Sequence, residues 1–337
     1  MLEPDPHGGV PARPDTPTPT GGLPVMPPQP AGVPALPMPS EPAARRSATV
    51  TTAATASLVA VTAVWGSTFP IITSAVRRMP AADFLAVRFG LAAVLLTVLL
   101  WRQARATSAR GRATGLLLGT VYGGGQLLQT TGMATSSPSV AGFLTGIYVV
   151  LTPMLAWLLL RHRIGTSTWL AVALSSAGLG VLGYEPSGGG VHFGTGELLV
   201  LTSALLYALH IVGLGAWARA EEVMGLAVWQ MVAIAAVCLI GALPSGVQTP
   251  PDAGAWGTAI YTAAVAGAGA LLVQTWAQSH LDPSRAALVM TLEPVFATAF
   301  AVTLGDDRLT GVLVLGGVLI LGAMVLVEVL ARDPRPA

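Results

Sequence analysis

The chain has 337 residues, of which 53% are hydrophobic and 10% are charged, and its mean hydropathy is +0.68. A soluble domain carries about 25% charged residues, so this composition excludes an ordinary soluble protein and indicates one that is largely surrounded by lipid. The net charge of +1 provides no basic excess for binding nucleic acid, and a single cysteine, Cys238, excludes an internal disulfide and argues against a metal cluster, so that no cofactor is predicted.

The first 50 residues differ in composition from the rest of the chain. Fourteen of the 26 prolines lie within residues 1–44, and the apolar residues there follow no period. Such a segment cannot bury enough surface to offset its ordering entropy. The sequence therefore predicts a disordered, Pro-rich N-terminal tail over residues 1–50, with a proline-rich ligand motif for a partner domain as the alternative.

Ten apolar stretches follow, each close to the ~20 residues that cross a bilayer as a helix. They are long and rich in Ala, Leu and Gly, which disfavours buried strands. The predicted fold is an all-α membrane protein with ten transmembrane helices at residues 54–76, 82–101, 113–133, 139–160, 167–184, 195–216, 224–243, 254–279, 284–304 and 310–331.

Trp65 and Arg88 interrupt the first two apolar stretches. Trp65 precedes Pro70 in the segment WGSTFP, where the missing backbone N–H of proline predicts a break in the first helix. Broken helices are tolerated at membrane depth where they line a cavity. Arg88 is either a structural cation that reaches toward the interface or a counter-charge for an anionic group of a substrate.

Three glycines recur every fourth residue of the third span, at Gly115, Gly119 and Gly123. Small residues at this spacing let two helix backbones approach closely within a membrane. The pattern predicts a helix-packing face.

Polar side chains form stripes along several spans. Spacings of three and four residues place each stripe on one helix face, and such a face needs a water-filled cavity or another polar helix because lipid offers no hydrogen bonds. The stripes predict a polar cavity, with simple hydrogen bonding between helices as the alternative. Their members are Tyr122, Gln126 and Gln129; Thr145, Tyr148 and Thr152; Tyr207 and His210; and Gln274 with Gln278.

Glu293 and His210 are candidates for ion coupling. Glu293 precedes Pro294 within the ninth span, and a carboxylate at membrane depth can carry a coupling proton. It can equally serve to cap the backbone groups that Pro294 leaves unpaired. His210 can carry a proton near neutral pH, or it is simply a hydrogen-bonded histidine.

The two halves of the span region repeat each other at a constant offset of 145 residues. The segment that begins at Ser136 corresponds to the segment that begins at Leu281, with Pro138 on Pro283, Ser139 on Ser284, Ala141 on Ala286, and Gln129 on Gln274. Each half holds five spans, an odd number, so the second half enters the membrane from the opposite side. The sequence predicts two inverted five-helix repeats with a substrate site between them.

The arginines predict the orientation. With a cytoplasmic N-terminus, the cytoplasmic loops and the parts of the tails next to the spans hold twelve arginines, and the opposite side holds three, Arg77, Arg78 and Arg308. Positive charge concentrates on the cytoplasmic side. We expect a multi-pass protein of the cell (inner) membrane with both termini in the cytoplasm.

Several segments together resemble the EamA-type branch of the drug/metabolite transporter superfamily. They are WGSTFP from Trp65, VRFGLAAVLL from Val87, AGFLTGIYVVLTP from Ala141 and SRAALVMTLEPVFA from Ser284. The resemblance covers about residues 53–331 and implies an inverted repeat, with halves at 53–184 and 194–331, that exports small metabolites or toxic compounds through a central cavity. The run Gly305-Asp306-Asp307-Arg308 departs from the Gly-Glu-Arg-like turn that is usual at this point.

The functional prediction is a permease that works by alternating access, without covalent catalysis. Its expected partners are a small-molecule substrate and the lipid bilayer, with no nucleic acid; a homodimer is left open. A membrane-embedded enzyme and a non-transporting scaffold are the alternatives. The predicted cavity lining consists of Trp65, Tyr122, Gln126, Gln129, Tyr148, Tyr207, His210 and Gln274, with Glu293 as the coupling candidate.

Overall fold

The computed structural model describes residues 41–161, 165–185, 190–191, 193–217, 222–270, 273–274, 277 and 289–330. Residues 1–40 of the predicted tail lie outside these residues, as does Gln278, so the disorder of residues 1–40 and the placement of Gln278 stay predictions. Residues 41–50, at the end of the predicted tail, are helical. All statements below concern the described residues.

The regular structure of these residues is helical, apart from one antiparallel pair of two-residue strands, Tyr184–Glu185 with Gly190–Val191. The all-α prediction is confirmed. The helices are α1 Glu41–Val76, α2 Ala81–Leu99, α3 Trp101–Ala106, α4 Ala109–Met133, α5 Pro138–Gly146, α6 Tyr148–Leu160, α7 Thr166–Leu182, α8 Thr195–Trp217, α9 Val223–Ala242, α10 Ala253–Ala263, α11 Glu293–Thr303 and α12 Gly311–Leu330, with a 3₁₀ turn Leu243–Ser245 after α9 and a π-helical segment Ala264–Gly269 after α10.

Five stretches are long and apolar enough to cross a bilayer: Val50–Val76, Ala81–Leu99, Pro138–Leu160, Thr195–Leu214 and Val223–Ala242. Shorter apolar helices occur at Thr168–Leu182 and Gly311–Leu326. The chain is therefore a multi-pass membrane protein.

The predicted break in the first helix is wrong, because α1 stays helical through Pro70. Proline removes only one N–H from the ladder. Just before it, Ser67 Oγ donates to the Val64 carbonyl at 2.6 Å and Thr68 Oγ1 donates to the Trp65 carbonyl at 2.7 Å. These hydroxyls donate to carbonyls of the turn before the proline; the ladder loses only the one bond to the Gly66 carbonyl, and the helix continues.

The fourth predicted span is instead divided at Ile147 into α5 and α6. The second half has a break at the corresponding place, since a turn at Thr291–Leu292 precedes α11. Ile147 and Leu292 are the N-cap residues of α6 and α11, both have right-handed helical dihedrals, and they stand 145 residues apart. The repeat therefore includes a helix break, which begins two half-helices at Tyr148 and Glu293.

The glycine face of the third span packs as predicted, against α9. A Cβ on Gly115 would lie 2.8 Å from Trp229 Cβ, and one on Gly123 would lie 3.1 Å from Val237 Cβ. At Gly119 a Cβ would collide with the backbone of Gln230. Hydrogen in place of a side chain is what lets α4 and α9, from different halves of the chain, approach backbone to backbone.

Helix α11 is held in a similar way between α1 and α5. A Cβ on Gly66 of α1 would lie 2.8 Å from the Ala297 backbone nitrogen, and one on Gly142 of α5 would lie 2.9 Å from Ala297 Cβ. This packing places Glu293, the first residue of α11, against helices of the first half.

Two polar contacts join the halves at opposite ends of α2. Beyond its C-terminal end, the N-cap residue of α4, Ser108, donates from its backbone N–H to Glu222 Oε1 at 2.9 Å and from its hydroxyl to Oε2 at 3.1 Å. Before its N-terminal end, Arg78 Nη1 pairs at 2.6 Å with Oδ2 of Asp252, the N-cap residue of α10.

These two contacts correspond to each other within the repeat. Ser108 and Asp252 both cap the helix of the third predicted span in their half and stand 144 residues apart. Arg78 and Glu222 both lie just before the helix of the second span. In each contact, the residue before the second span of one half binds the cap of the third span of the other half. We call them the Ser108–Glu222 clasp and the Arg78–Asp252 clasp.

The Arg78–Asp252 clasp is charged over the whole neutral range. The hydrogen bond from the Ala255 backbone N–H, reinforced by Arg78, lowers the pKa of Asp252 from its ordinary value of 3.8. A group whose pKa falls on folding contributes stability above its unfolded pKa and loses it as the pH drops through the folded pKa. Protonation of Asp252 therefore weakens this clasp only at a pH below 3.8.

We expect Gly119→Ala to destabilise the protein by about 1–3 kcal/mol, because the added methyl group meets the Gln230 backbone and forces α4 away from α9. Thermal unfolding of the purified protein in detergent measures the effect. Gly124→Ala on the same helix is the control, since its Cβ would have only an ordinary contact with Leu206 Cδ1 at 3.5 Å. Equal unfolding temperatures for the two variants would contradict the packing argument.

Candidate functional site

A chain of side-chain hydrogen bonds links α4, α5 and α8. Gln126 Nε2 donates to the Tyr207 hydroxyl at 2.7 Å, which donates to Gln129 Oε1 at 2.9 Å. Gln129 Nε2 in turn donates to Thr145 Oγ1 at 2.9 Å. Gln126 Nε2 also lies 3.3 Å from the Tyr122 hydroxyl. We call these five residues, from the first and the second half, the polar cluster.

Aromatic rings form one wall of the polar cluster. The rings of Tyr122 and Tyr207 are 5.0 Å apart between centroids, and the His210 ring meets Tyr122 edge-on at 5.1 Å. Tyr207 can lie this close to α4 because position 125 is glycine, where a Cβ would be 2.8 Å from Tyr207 Cε1. Tyr207 therefore contributes both a ring and a hydroxyl at the contact between the halves.

His210 is hydrogen-bonded as well as stacked. Its Nε2 lies 2.6 Å from Oε1 of Gln230 on α9. Sequence analysis did not select Gln230 as a site residue, although the repeat pairs it with Arg88 at an offset of 142. Gln230 could have been selected from the sequence, because it is a polar residue inside a span at the position equivalent to Arg88.

Two ionisable residues act on the tyrosines. Arg88 of α2 is 9% exposed and interacts electrostatically with Tyr122 and Tyr207. Glu293, at the N-terminus of α11, interacts electrostatically with the same two residues. A basic residue of the first half and an acidic residue of the second thus act on the same two tyrosines.

The polar cluster retains unused hydrogen-bonding capacity. Gln126 Oε1 is buried and accepts no hydrogen bond from the described residues. A buried amide oxygen without a donor is unfavourable by about 1–3 kcal/mol. A donor from water or from a bound solute would complete it.

Trp65 and Gln274 make their hydrogen bonds elsewhere. Trp65 Nε1 donates to the Ala266 carbonyl at 2.8 Å, and Gln274 Nε2 lies 3.8 Å from Met290 Sδ. Tyr148 begins α6, and its carbonyl accepts from Thr152 Oγ1 at 2.7 Å. The contacts described above bring together Tyr122, Gln126, Gln129, Tyr207 and His210 from the predicted lining. Glu293 acts electrostatically on the two tyrosines.

Trp65 nevertheless occupies the position in the first half that Tyr207 occupies in the second. The two residues stand 142 apart, and each donates a hydrogen bond to the third helical region of the opposite half: Trp65 to the π-helical segment, Tyr207 to α4. The halves make equivalent contacts, but the extended polar cluster exists around Tyr207.

Sequence analysis also missed Asp83, in the first turn of α2. Its side chain is fully buried, and neither carboxylate oxygen has a hydrogen-bond partner among the described residues. An acidic residue inside an otherwise apolar span is the signal that would have identified it. No interaction places Asp83 in the polar cluster.

A separate cavity of about 410 Å³ lies beside the helix break of the first half. It is bounded by Ile147, Val150, Ser175, Leu179 and Thr202, among others. None of the predicted site residues lines it. We therefore place the candidate site at the polar cluster and not in this cavity.

Comparison with known proteins agrees with the two-half organisation. The model of the EamA-like transporter family matches twice, over residues 53–184 and 194–329. An uncharacterized transporter of Archaeoglobus fulgidus is 30% identical over 276 residues, covering 80% of this chain and 84% of that protein. A solved crystal structure with 19% identity covers 83% of this chain and 98% of its own with a TM-score of 0.58, which shows a shared fold alone. The resemblance seen in the sequence is confirmed, and the chain belongs to the EamA-like transporter family.

Proposed function

We propose that the protein exports small polar or amphipathic solutes across the cell (inner) membrane by alternating access. In this proposal ten transmembrane helices form two inverted five-helix repeats, and both termini are cytoplasmic. The family match favours a transporter over a membrane-embedded enzyme or a scaffold.

The observation that carries the proposal is the polar cluster between the two halves. Gln126, Gln129 and Thr145 belong to the first half, whereas Tyr207 belongs to the second. Transporters built from two repeats bind their substrate where the repeats meet, near the middle of the bilayer. Polar side chains at that depth are typical of a solute path because lipid cannot satisfy them.

The paired helix breaks support the same function. Irregular backbone is tolerated in hydrocarbon only where it is buried in protein or lines a water-filled space. Ile147 and Leu292 interrupt corresponding helices of the two halves. Such breaks let a half-helix tilt without distorting the rest of its span, as a rocking motion requires.

The two clasps support alternating access. They join the halves at opposite ends of α2, a helix of 19 residues and thus about 28 Å long. Opening a path to one side of the membrane would separate one clasp and leave the other intact. Each clasp is accordingly proposed to close one face of the transporter.

The direct test is solute flux into proteoliposomes that contain the purified full-length protein, using a panel of labelled small polar and amphipathic solutes. We expect flux for wild type and a roughly tenfold slower rate for Tyr207→Phe, because the lost hydroxyl leaves Gln126 Nε2 and Gln129 Oε1 without partners. Tyr261→Phe, which removes a hydroxyl 2.9 Å from Ser67 Oγ outside the polar cluster, is the control. Absence of flux for every solute would refute the transport proposal.

Crosslinking the clasps tests alternating access. In a Cys238→Ser background, which removes the single native cysteine, cysteines are placed at 78 and 252 or at 108 and 222, and each pair is joined with a short, cleavable thiol crosslinker. We expect either crosslink to stop flux and cleavage to restore it, because each locks one face shut. Single-cysteine variants treated alike should keep their activity. Full flux with a closed crosslink would exclude that clasp from the cycle.

Glu293 is proposed to couple solute movement to protons. It is the first residue of α11, the half-helix that follows the break at Leu292, and it interacts electrostatically with Tyr207 of the polar cluster. We expect an imposed pH gradient to increase flux through wild type and Glu293→Asp. Flux through Glu293→Gln should be the same with and without the gradient, since the amide cannot release a proton. If Glu293→Gln responds to the gradient as wild type does, Glu293 has no part in coupling.

A further inference from the structure

Arg88 holds a permanent positive charge inside a membrane-spanning helix. It lies seven residues into α2, about 10 Å from the start of the helix, and is 9% exposed. A cation at membrane depth costs at least about 2.5 kcal/mol unless it has a partner or faces a cavity. Side chains that reach for the interface keep the charged group in water, and the burial of Arg88 is inconsistent with that arrangement.

Among the described residues, Arg88 has no partner of opposite charge. Its enclosed Nε atom makes no hydrogen bond, and its guanidinium carbon lies 4.7 Å from the centre of the adjacent Phe89 ring. Asp83 belongs to the same helix but is five residues away, which places it about 140° around the helix axis. No ion pair joins the two residues, and the Asp83 carboxylate oxygens are themselves unpartnered.

The repeat does not provide a matching charge either. Helices α2 and α9 begin at Ala81 and Val223, 142 residues apart, so the equivalent of Arg88 is Gln230. Gln230 is neutral and already bonded to His210 at 2.6 Å. The cation is therefore peculiar to the first half, as expected of a residue that recognises a ligand and not of one that maintains the common fold.

We propose that Arg88 is the subsite for an anionic group, specifically a carboxylate, on the transported solute. The guanidinium offers a fork of donors that matches a carboxylate with two parallel hydrogen bonds. Arg88 interacts electrostatically with Tyr122 and Tyr207, whose rings are 5.0 Å apart and present faces for the apolar part of the solute, and the unpartnered Gln126 Oε1 accepts a donor group. The inference rests on the proposed transport function and names the substrate class for that same site.

Three solutes with one carbon frame test this assignment: 3-phenylpropionate, 3-phenylpropan-1-ol and 3-phenylpropan-1-amine. They carry an anionic, a neutral and a cationic group respectively. Binding is measured as the concentration-dependent rise in the unfolding temperature of the purified full-length protein in detergent. We expect 3-phenylpropionate to bind wild type about tenfold or more tightly than the alcohol does, and 3-phenylpropan-1-amine to bind no better than the alcohol.

Variants connect the selectivity to one side chain. Arg88→Gln should lose the preference for the anion, whereas Arg88→Lys should retain part of it because the charge remains. Arg102→Gln, which alters an exposed arginine outside both clasps and the polar cluster, should bind the anion as wild type does. Should Arg88→Gln fail to fold, Arg88→Met keeps an apolar stem of similar length and serves the same purpose.

The proposal is overturned if the anion binds no better than the alcohol, if the amine binds best, or if the anion preference survives in Arg88→Gln. These outcomes differ from a failure of the transport proposal, which is judged by flux in proteoliposomes. Flux of neutral or cationic solutes that is insensitive to Arg88→Gln would leave the transporter in place and remove the anion subsite.

Discussion

Hydrocarbon offers no hydrogen bonds, and this constraint governs the arrangement of the polar groups in this protein. Inside the spans each polar side chain must find another protein group or a cavity. Serine and threonine hydroxyls meet the requirement locally by donating to carbonyls one turn back, as Ser67 and Thr68 do beside Pro70. The side-chain amides of Gln126 and Gln129 on α4 and the hydroxyl of Tyr207 on α8 do not bond to carbonyls of their own helix. They form hydrogen bonds between helices instead. The contact between the halves is polar for this reason.

Close packing makes those bonds possible. The hydroxyl of Tyr207 reaches Gln126 and Gln129 only because its ring lies against Gly125, and α4 meets α9 only because Gly119 has no side chain. Small residues determine the distance between the halves, and the polar residues then determine their register. The same division of roles recurs at α11, where glycines of α1 and α5 admit the helix that begins with Glu293.

Helix positions and faces were readable from the sequence, because apolar length and a three-to-four-residue spacing depend on local geometry alone. Tyr122, Gln126 and Gln129 were placed on one face correctly. The partners of Trp65 and Gln274, the Ala266 carbonyl and Met290 Sδ, were not predictable, since one sequence does not specify how each helix is rotated toward its neighbours. The break at Ile147 was missed because no proline marks it, whereas Pro70 marked a break that does not exist.

The two clasps differ in chemistry although the repeat makes them equivalent. One is an exposed ion pair, Arg78 with Asp252, and the other joins a carboxylate to a serine N-cap. A perfectly duplicated inverted repeat would have two conformations of equal energy, related by a two-fold axis in the plane of the bilayer. Under the proposed alternating access, divergence at these four positions removes that degeneracy. Ionic strength on one side of the membrane would then screen one clasp more than the other, so the resting population of the two proposed conformations would depend on the surrounding solutions as well as on the chain.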